Sequence, residues 1–194
     1  MIKIERRFFF ILVFSMALIV ALSNYLVQFP IKYLNLQDLF TYGAFSYPIA
    51  FLITDLANRS YGKIIARKTV YIGFIMGLVL TLCFSTDFSN LISKRIAVGS
   101  GTAFLIAQLL DVQVFDKLRE KVWYVAPLAS SLIGSFIDTF LFFSIAFYGT
   151  GVNWITLSFG DLLVKIFVAL VMLIPFRLLI SSVNEIGTTQ KINV

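Results

Sequence analysis

The chain contains no histidine and a single cysteine, Cys83. The first absence excludes every Ser–His and Cys–His catalytic unit, and with one thiol it also removes the common ligands of a metal site. A lone thiol closes no intrachain disulfide, so no disulfide framework organises the fold. Cys83 reads as a small apolar residue in a core or against lipid. Charge is scarce as well. Asp, Glu, Lys and Arg make up 13% of the 194 residues, and no soluble domain is left over outside the apolar segments.

Hydrocarbon takes the place of what is missing. Hydrophobic residues make up 59% of the chain, 21 of them Phe, and mean hydropathy is +0.92, well beyond a soluble domain of this length. Apolar stretches of about 20 residues, the length a helix needs to cross a bilayer, recur from end to end. They predict an all-α integral membrane protein with six transmembrane helices in one domain over residues 1–194. The spans fall near 8–27, 37–55, 70–86, 95–115, 122–148 and 159–181. The first run follows a basic N-terminus but lacks a small-residue cleavage site, so it reads as a span and not as a signal peptide.

Basic residues set the orientation, because cytoplasmic loops carry the excess of Lys and Arg. Lys3, Arg6, Arg7, Arg59, Lys63, Arg67, Lys68, Lys117, Arg119, Lys121, Arg177 and Lys191 fall on one side, twelve of the sixteen. Lys32, Lys94 and Arg95 fall on the other, and Lys165 lies within the last span. Both termini are therefore expected in the cytoplasm. The net charge of +6 follows largely from this asymmetry, and no compact basic domain or stacking platform stands outside the bilayer. A nucleic-acid partner is not expected. Trp123, Tyr124 and Trp154 fall near the expected interfaces, where amphipathic rings anchor helices.

Ionisable groups at membrane depth cost about 2.5–3.5 kcal/mol each on insertion scales, so they usually face the bundle interior and often mark a pathway. In the fourth span Ala97, Gly101, Phe104, Gln108, Asp111 and Phe115 share one helical stripe; in the fifth, Pro127, Ser131, Gly134, Asp138 and Phe142 share another. Asp161 and Lys165, four apart in the sixth, can pair on one face. In the second, Gly43 and Pro48 interrupt a short hydrophobic segment ending at Asp55, Asn58 and Arg59, a pattern that points to transporter binding sites.

Each of these has a plainer reading. Asp161 suits a helix N-terminus, Asp55 can pair with Arg59 one turn on, and Asp111 can approach the cytoplasmic interface. Asp138 resists such a reading, since no cation lies within one turn of it. Ala17 and Ala21 form a small-residue helix-packing signal in the first span. Pro48 precedes Asp55 as Pro127 precedes Asp138, which with three spans in each half fits a 3+3 inverted repeat.

The segments Ser23–Gln28, Gly43–Ser46 through Thr54–Leu56 with Arg59, Gly62, Ala66 and Arg67, then Arg95–Ala97, Gln108–Val112 with Val114, Phe115, Leu118 and Arg119, and Ala126–Pro127 through Asp138, Thr139 and Phe142 together resemble the queuosine precursor transporter family, also called the vitamin uptake transporter family. The resemblance covers nearly the whole chain. A shorter loop between the third and fourth spans and a short C-terminal tail are the departures. It implies a multi-pass importer in the bacterial inner membrane for the cyano and aminomethyl deazaguanine precursors of queuosine in transfer RNA. It also implies no enzyme activity and no cofactor, and leaves a homo-oligomer open.

A guanine-like base offers ring N–H and exocyclic amine donors on one edge and a flat face for stacking. The expected substrate site is therefore Asp138, Asp111 and Gln108 in a midplane pocket, with Asp55, Asn58 and Asn24 contributing and Phe104, Phe115 or Phe142 supplying the stacking face. Asp161, Lys165 and Arg59 are the candidate ion-pair or coupling residues. Without histidine, a proton relay would have to use carboxylates, whereas facilitated diffusion needs no relay. The competing class is the substrate-binding subunit of an ATP-driven vitamin importer. A metal-dependent membrane enzyme fits less well, because it needs several carboxylates clustered together and each span here contributes one or two at separate depths.

Overall fold

The computed structural model describes residues 6–31, 41–84 and 89–192. Six helices account for nearly all of them: α1 (Arg6–Leu26), α2 (Gly43–Tyr61), α3 (Lys63–Phe84), α4 (Leu91–Leu118), α5 (Val125–Phe147) and α6 (Trp154–Ile192). Among the described residues there is no strand beyond an isolated bridge between Pro30 and Thr41. Five helices are long and apolar enough to cross a membrane, and the chain is a multi-pass membrane protein. Residues 37–40 and 85–86 of the expected second and third spans, with Lys3 and Lys32, lie outside the described residues.

The exception is α2, and the reason is its composition. It carries Ser46, Thr54, Asp55 and Asn58, all buried, and it packs against each of the other five helices. A helix surrounded by helices needs no apolar outer face. Hydropathy marks the second span as ending at Asp55, but the helix runs six residues further, to Tyr61, because its polar half is covered by protein and not by lipid. Nor do Gly43 and Pro48 interrupt it: Gly43 is its first residue and the helix continues through Pro48.

Local signals set the ends. Asn90 caps α4, its side chain accepting from the backbone N–H of Ile92 at 2.8 Å and of Ser93 at 3.3 Å. Gly62, at φ +85°, turns the chain between α2 and α3 and donates its N–H to the Asn58 carbonyl at 2.8 Å. Arg95 donates to the carbonyls of Ile145 and Tyr148, tying the start of α4 to the end of α5.

The most extensive pairing is α4 along α5, followed by α1 on α3. The α1–α3 contact is close because Gly73 and Gly77 sit one turn apart on α3. A β-carbon at Gly73 would come within 2.5 Å of Met16, and one at Gly77 within 2.6 Å of Val20. The small-residue signal of Ala17 on α1 is thus met by two glycines opposite. The pairing does not repeat between the halves: α1 lies on α3, whereas α4 lies along α5.

Gly73→Val should therefore force α1 and α3 apart at an overpacking cost of about 1–3 kcal/mol. We expect a lower yield of folded protein and a melting temperature several degrees lower in detergent. Gly101→Ala, where a β-carbon finds ordinary contacts at 3.7 Å, should leave both unchanged.

Candidate functional site

Loops and helix ends divide the bundle into two ends. At one, between the end of α1 and the starts of α2, α4 and α6, a vestibule of about 620 Å³ is lined by Gln28, Thr41, Asn90, Asn153 and Thr156 over an apolar floor of Val27, Ile96, Phe147 and Leu157. At the other, α2 turns at Gly62 beside the ends of α4. There Arg59 donates to the Arg119 carbonyl, and Arg119 donates to the Asn58 carbonyl at 2.8 Å. The expected pairing of Arg59 with Asp55 is not made, because its guanidinium turns away to the end of α4.

Between these ends runs a line of buried polar groups in three clusters. Nearest the vestibule, Asn24 of α1 accepts from the Tyr47 hydroxyl at 2.6 Å and donates to Thr81 at 3.0 Å, while Ser23 donates to Ser46 at 2.8 Å. These contacts join α1, α2 and α3. They satisfy Asn24 on both its oxygen and its nitrogen.

In the second cluster, Lys165 of α6 reaches Asp161 at 2.6 Å, Asp138 of α5 at 2.9 Å and the Thr139 hydroxyl at 3.0 Å. The Thr139 hydroxyl in turn donates to Asp161 at 2.9 Å, and the ammonium lies 5.2 Å from the centre of the Tyr47 ring. The three ionised side chains are at most 5% exposed. The pairing of Asp161 with Lys165 is the one their spacing indicates. Asp138, which has no cation on its own helix, receives one from α6.

The third cluster holds the remaining acids. Asp55 accepts from Ser130 at 3.2 Å and from Ser131 at 3.5 Å, and Asp111 of α4 lies against both Asp55 and Ser130. No lysine or arginine salt bridge reaches either carboxylate among the described residues. One turn before Asp111, Gln108 accepts from Thr54 through its oxygen; one turn after Asp55, Asn58 donates to the Val112 carbonyl at 3.0 Å. Their other ends are left over. Gln108 Nε2, Asn58 Oδ1 and both oxygens of Asp111 are buried with no hydrogen-bond partner in good geometry. Buried polar groups in native proteins are nearly always partnered, and although Thr41, Ser60, Arg67, Thr69 and Ser135 also carry an unpartnered atom, four such atoms together on two facing helices make this the candidate site.

The structure thus brings Gln108, Asp111, Asp55 and Asn58 together and sets Asp138 and Asn24 apart from them, each already engaged. The three candidate rings also separate. Phe104 stacks on Phe74 at 5.9 Å, Phe115 meets Phe176 edge-on at 6.2 Å, and Phe142 packs with Phe143 and Phe147 toward the vestibule end. Sequence reasoning missed Tyr47, Thr54, Ser130 and Thr139. Thr54, Ser130 and Thr139 sit beside positions it had singled out, so adjacency to a buried acid or to Ser131 was an available signal. Tyr47 was visible only through its partner on another helix.

A bundle of apolar helices wrapped around a polar, partly unsatisfied interior is the construction of a membrane transporter. The family model for putative vitamin uptake transporters matches residues 41–180, and the chain belongs to that family, which is one of transporters and not of enzymes. It is 36% identical to a probable queuosine precursor transporter of Haemophilus influenzae, over 88% of this chain and 85% of that protein. To the queuosine precursor transporter of Escherichia coli it is 35% identical, over 81% and 79%. A probable queuosine precursor transporter of Bacillus subtilis is 30% identical over 69% of this chain and 68% of its own length. No solved structure gives a significant match.

Removing one member of a buried ion pair strands the other, typically at about 3–5 kcal/mol. Lys165→Met leaves Asp138 and Asp161 facing each other without a cation. It should reduce folded protein recovered from membranes far more than Asp116→Asn, whose half-buried carboxylate pairs with Lys63 at 3.8 Å and Arg119 at 3.4 Å. Detergent-extracted yield and thermal melting of the two variants side by side check this.

Proposed function

We propose that this protein imports queuosine precursors, 7-cyano-7-deazaguanine and 7-aminomethyl-7-deazaguanine, across the bacterial inner membrane. Family membership and the printed names of the relatives support the substrate class. Twelve of sixteen basic residues on one side support cytoplasmic termini, which turns the vestibule outward.

The observation that carries the assignment of the site is the set of orphaned atoms between α2 and α4. The edge of a deazaguanine presents a carbonyl oxygen, a ring N–H and an amine in a row. Gln108 Nε2 donates to the carbonyl, and the Asp111 oxygens accept from the ring N–H and the amine. Asp55, held by Ser130 and Ser131, and Asn58 Oδ1 close the polar wall. Phe115, one turn beyond Asp111, and Phe104, one turn before Gln108, are the rings nearest in sequence for the flat face. Asp138 is assigned a different task, since Lys165 already holds it.

In this conformation the polar wall is closed. Gln108, Asp111 and Asn58 have no exposed surface, and the small void beside Asp55, on its α5–α6 side, measures about 10 Å³, near the lower limit for one water, whereas the vestibule is roomy. Seating a base between α2 and α4 requires those helices to part. The vestibule is then the entry and the Gly62 end, crossed by Arg59 and Arg119, the exit.

Expressed alone in a strain unable to make the precursors or carry them, the protein should restore queuosine to transfer RNA when precursor is supplied. At equal membrane abundance, Asp111→Asn and Gln108→Ala should each lower initial uptake about tenfold or more, in line with about 1–3 kcal/mol for a bidentate base contact. Wild-type rates in both variants would show the assigned site to be wrong. A requirement for an added ATPase module would instead favour the subunit of an ATP-driven importer.

A further inference from the structure

The second polar cluster takes no part in reading the base, yet it is the most heavily charged point in the membrane-spanning region. Two carboxylates and one ammonium leave one negative charge over. The ammonium directs its three protons to Asp161, Asp138 and Thr139 and has none left for another acceptor. Facing the cluster are Tyr47 from α2, whose ring lies under Lys165, and Thr139 from α5. From α4 no titratable group joins it: Asp111 lies against Asp55 and Ser130, and Arg95 is bonded to the carbonyls of Ile145 and Tyr148. The Asp55–Asp111 pair stands about two helical turns away, about 10 Å along α5, judged from Ser131 and Asp138.

We propose that the Asp138–Lys165–Asp161 cluster binds one proton, and that this proton couples uptake of the base to the proton gradient. The inference rests on the transport reading above. Asp138 is the acceptor, because Lys165 is its one hydrogen-bond and ion-pair partner among the described residues, whereas Asp161 is held by both Lys165 and Thr139. A proton from the outer solution adds to a free Asp138 oxygen and leaves the cluster neutral. In that state α5 and α6 can shift against Tyr47 of α2 without carrying an unbalanced charge through apolar surroundings, a movement the charged cluster resists. A line of polar groups leads in from the vestibule: Gln28 donates to the Asn24 backbone carbonyl at 3.2 Å, the Asn24 side-chain oxygen accepts from the Tyr47 hydroxyl, and the Tyr47 ring lies against Lys165. The proton thus enters from the same side as the base, which makes the process a symport.

The test uses the full-length protein in sealed vesicles with labelled 7-cyano-7-deazaguanine. With the interior one pH unit more alkaline, the wild type should accumulate base toward a tenfold ratio, about the limit for one proton per base, and a protonophore should abolish the excess. Asp138→Asn should still exchange base for base in counterflow above protein-free vesicles, but should equilibrate without accumulating. Asp138→Glu, which keeps a carboxyl, should recover accumulation and guards against a folding defect in the amide variant. Wild-type accumulation indifferent to the gradient overturns the proposal, and so does gradient-driven accumulation by Asp138→Asn. Absence of counterflow in the wild type would overturn the transport reading itself and this proposal with it.

Discussion

A carboxylate inside a bilayer has no water to lean on, and among the described residues four are buried there with a single lysine. Everything else in the bundle follows from where those charges are allowed to sit. They are tolerated because α2, the least apolar helix, is enclosed by the other five, so that Asp55, Asn58, Thr54 and Tyr47 face protein. The enclosure depends in turn on close backbone approach. Gly73 and Gly77 admit α1 onto α3, and Gly134 admits the ring of Phe51 onto α5, where a β-carbon would stand 2.6 Å from it.

Two solutions to the same electrostatic problem sit side by side. Asp138 and Asp161 are answered by Lys165 within a tight set of contacts. Asp55 is answered only by serine hydroxyls, and Asp111 by nothing in good geometry. A protein that needed only stability would not keep the second arrangement, since buried unsatisfied acceptors cost free energy and apolar replacements are easy to find. The contrast is the basis of the proposed division of labour, in which the answered cluster handles charge and the unanswered one offers hydrogen bonds to a ligand that brings its own donors.

Much of this was legible in the sequence. Hydropathy located six helices, and the stripes from Ala97 to Phe115 and from Pro127 to Phe142 identified faces that are all buried. Spacing of four indicated the Asp161–Lys165 pair. What remained hidden depended on contacts between helices. Asp138 looks unpaired along its own helix because its cation arrives from α6. Asp55 looks ready for Arg59 because the sequence does not show Arg59 reaching the end of α4. The C-terminal end of α2 was misplaced for a related reason: hydropathy assumes lipid outside a helix, and α2 has protein there. The orphaned end of Gln108 could not be foreseen, since it follows from Thr54 taking the other end.

The account stands on the polar wall between α2 and α4 as the place where the base is held. An experimental structure with 7-cyano-7-deazaguanine bound measures this most directly. The base should lie with its carbonyl within hydrogen-bond distance of Gln108 Nε2 and its ring N–H and amine against Asp111, with α2 and α4 further apart than here. A base held only in the vestibule, or one paired with Asp138 while Gln108 and Asp111 remain untouched, would contradict it.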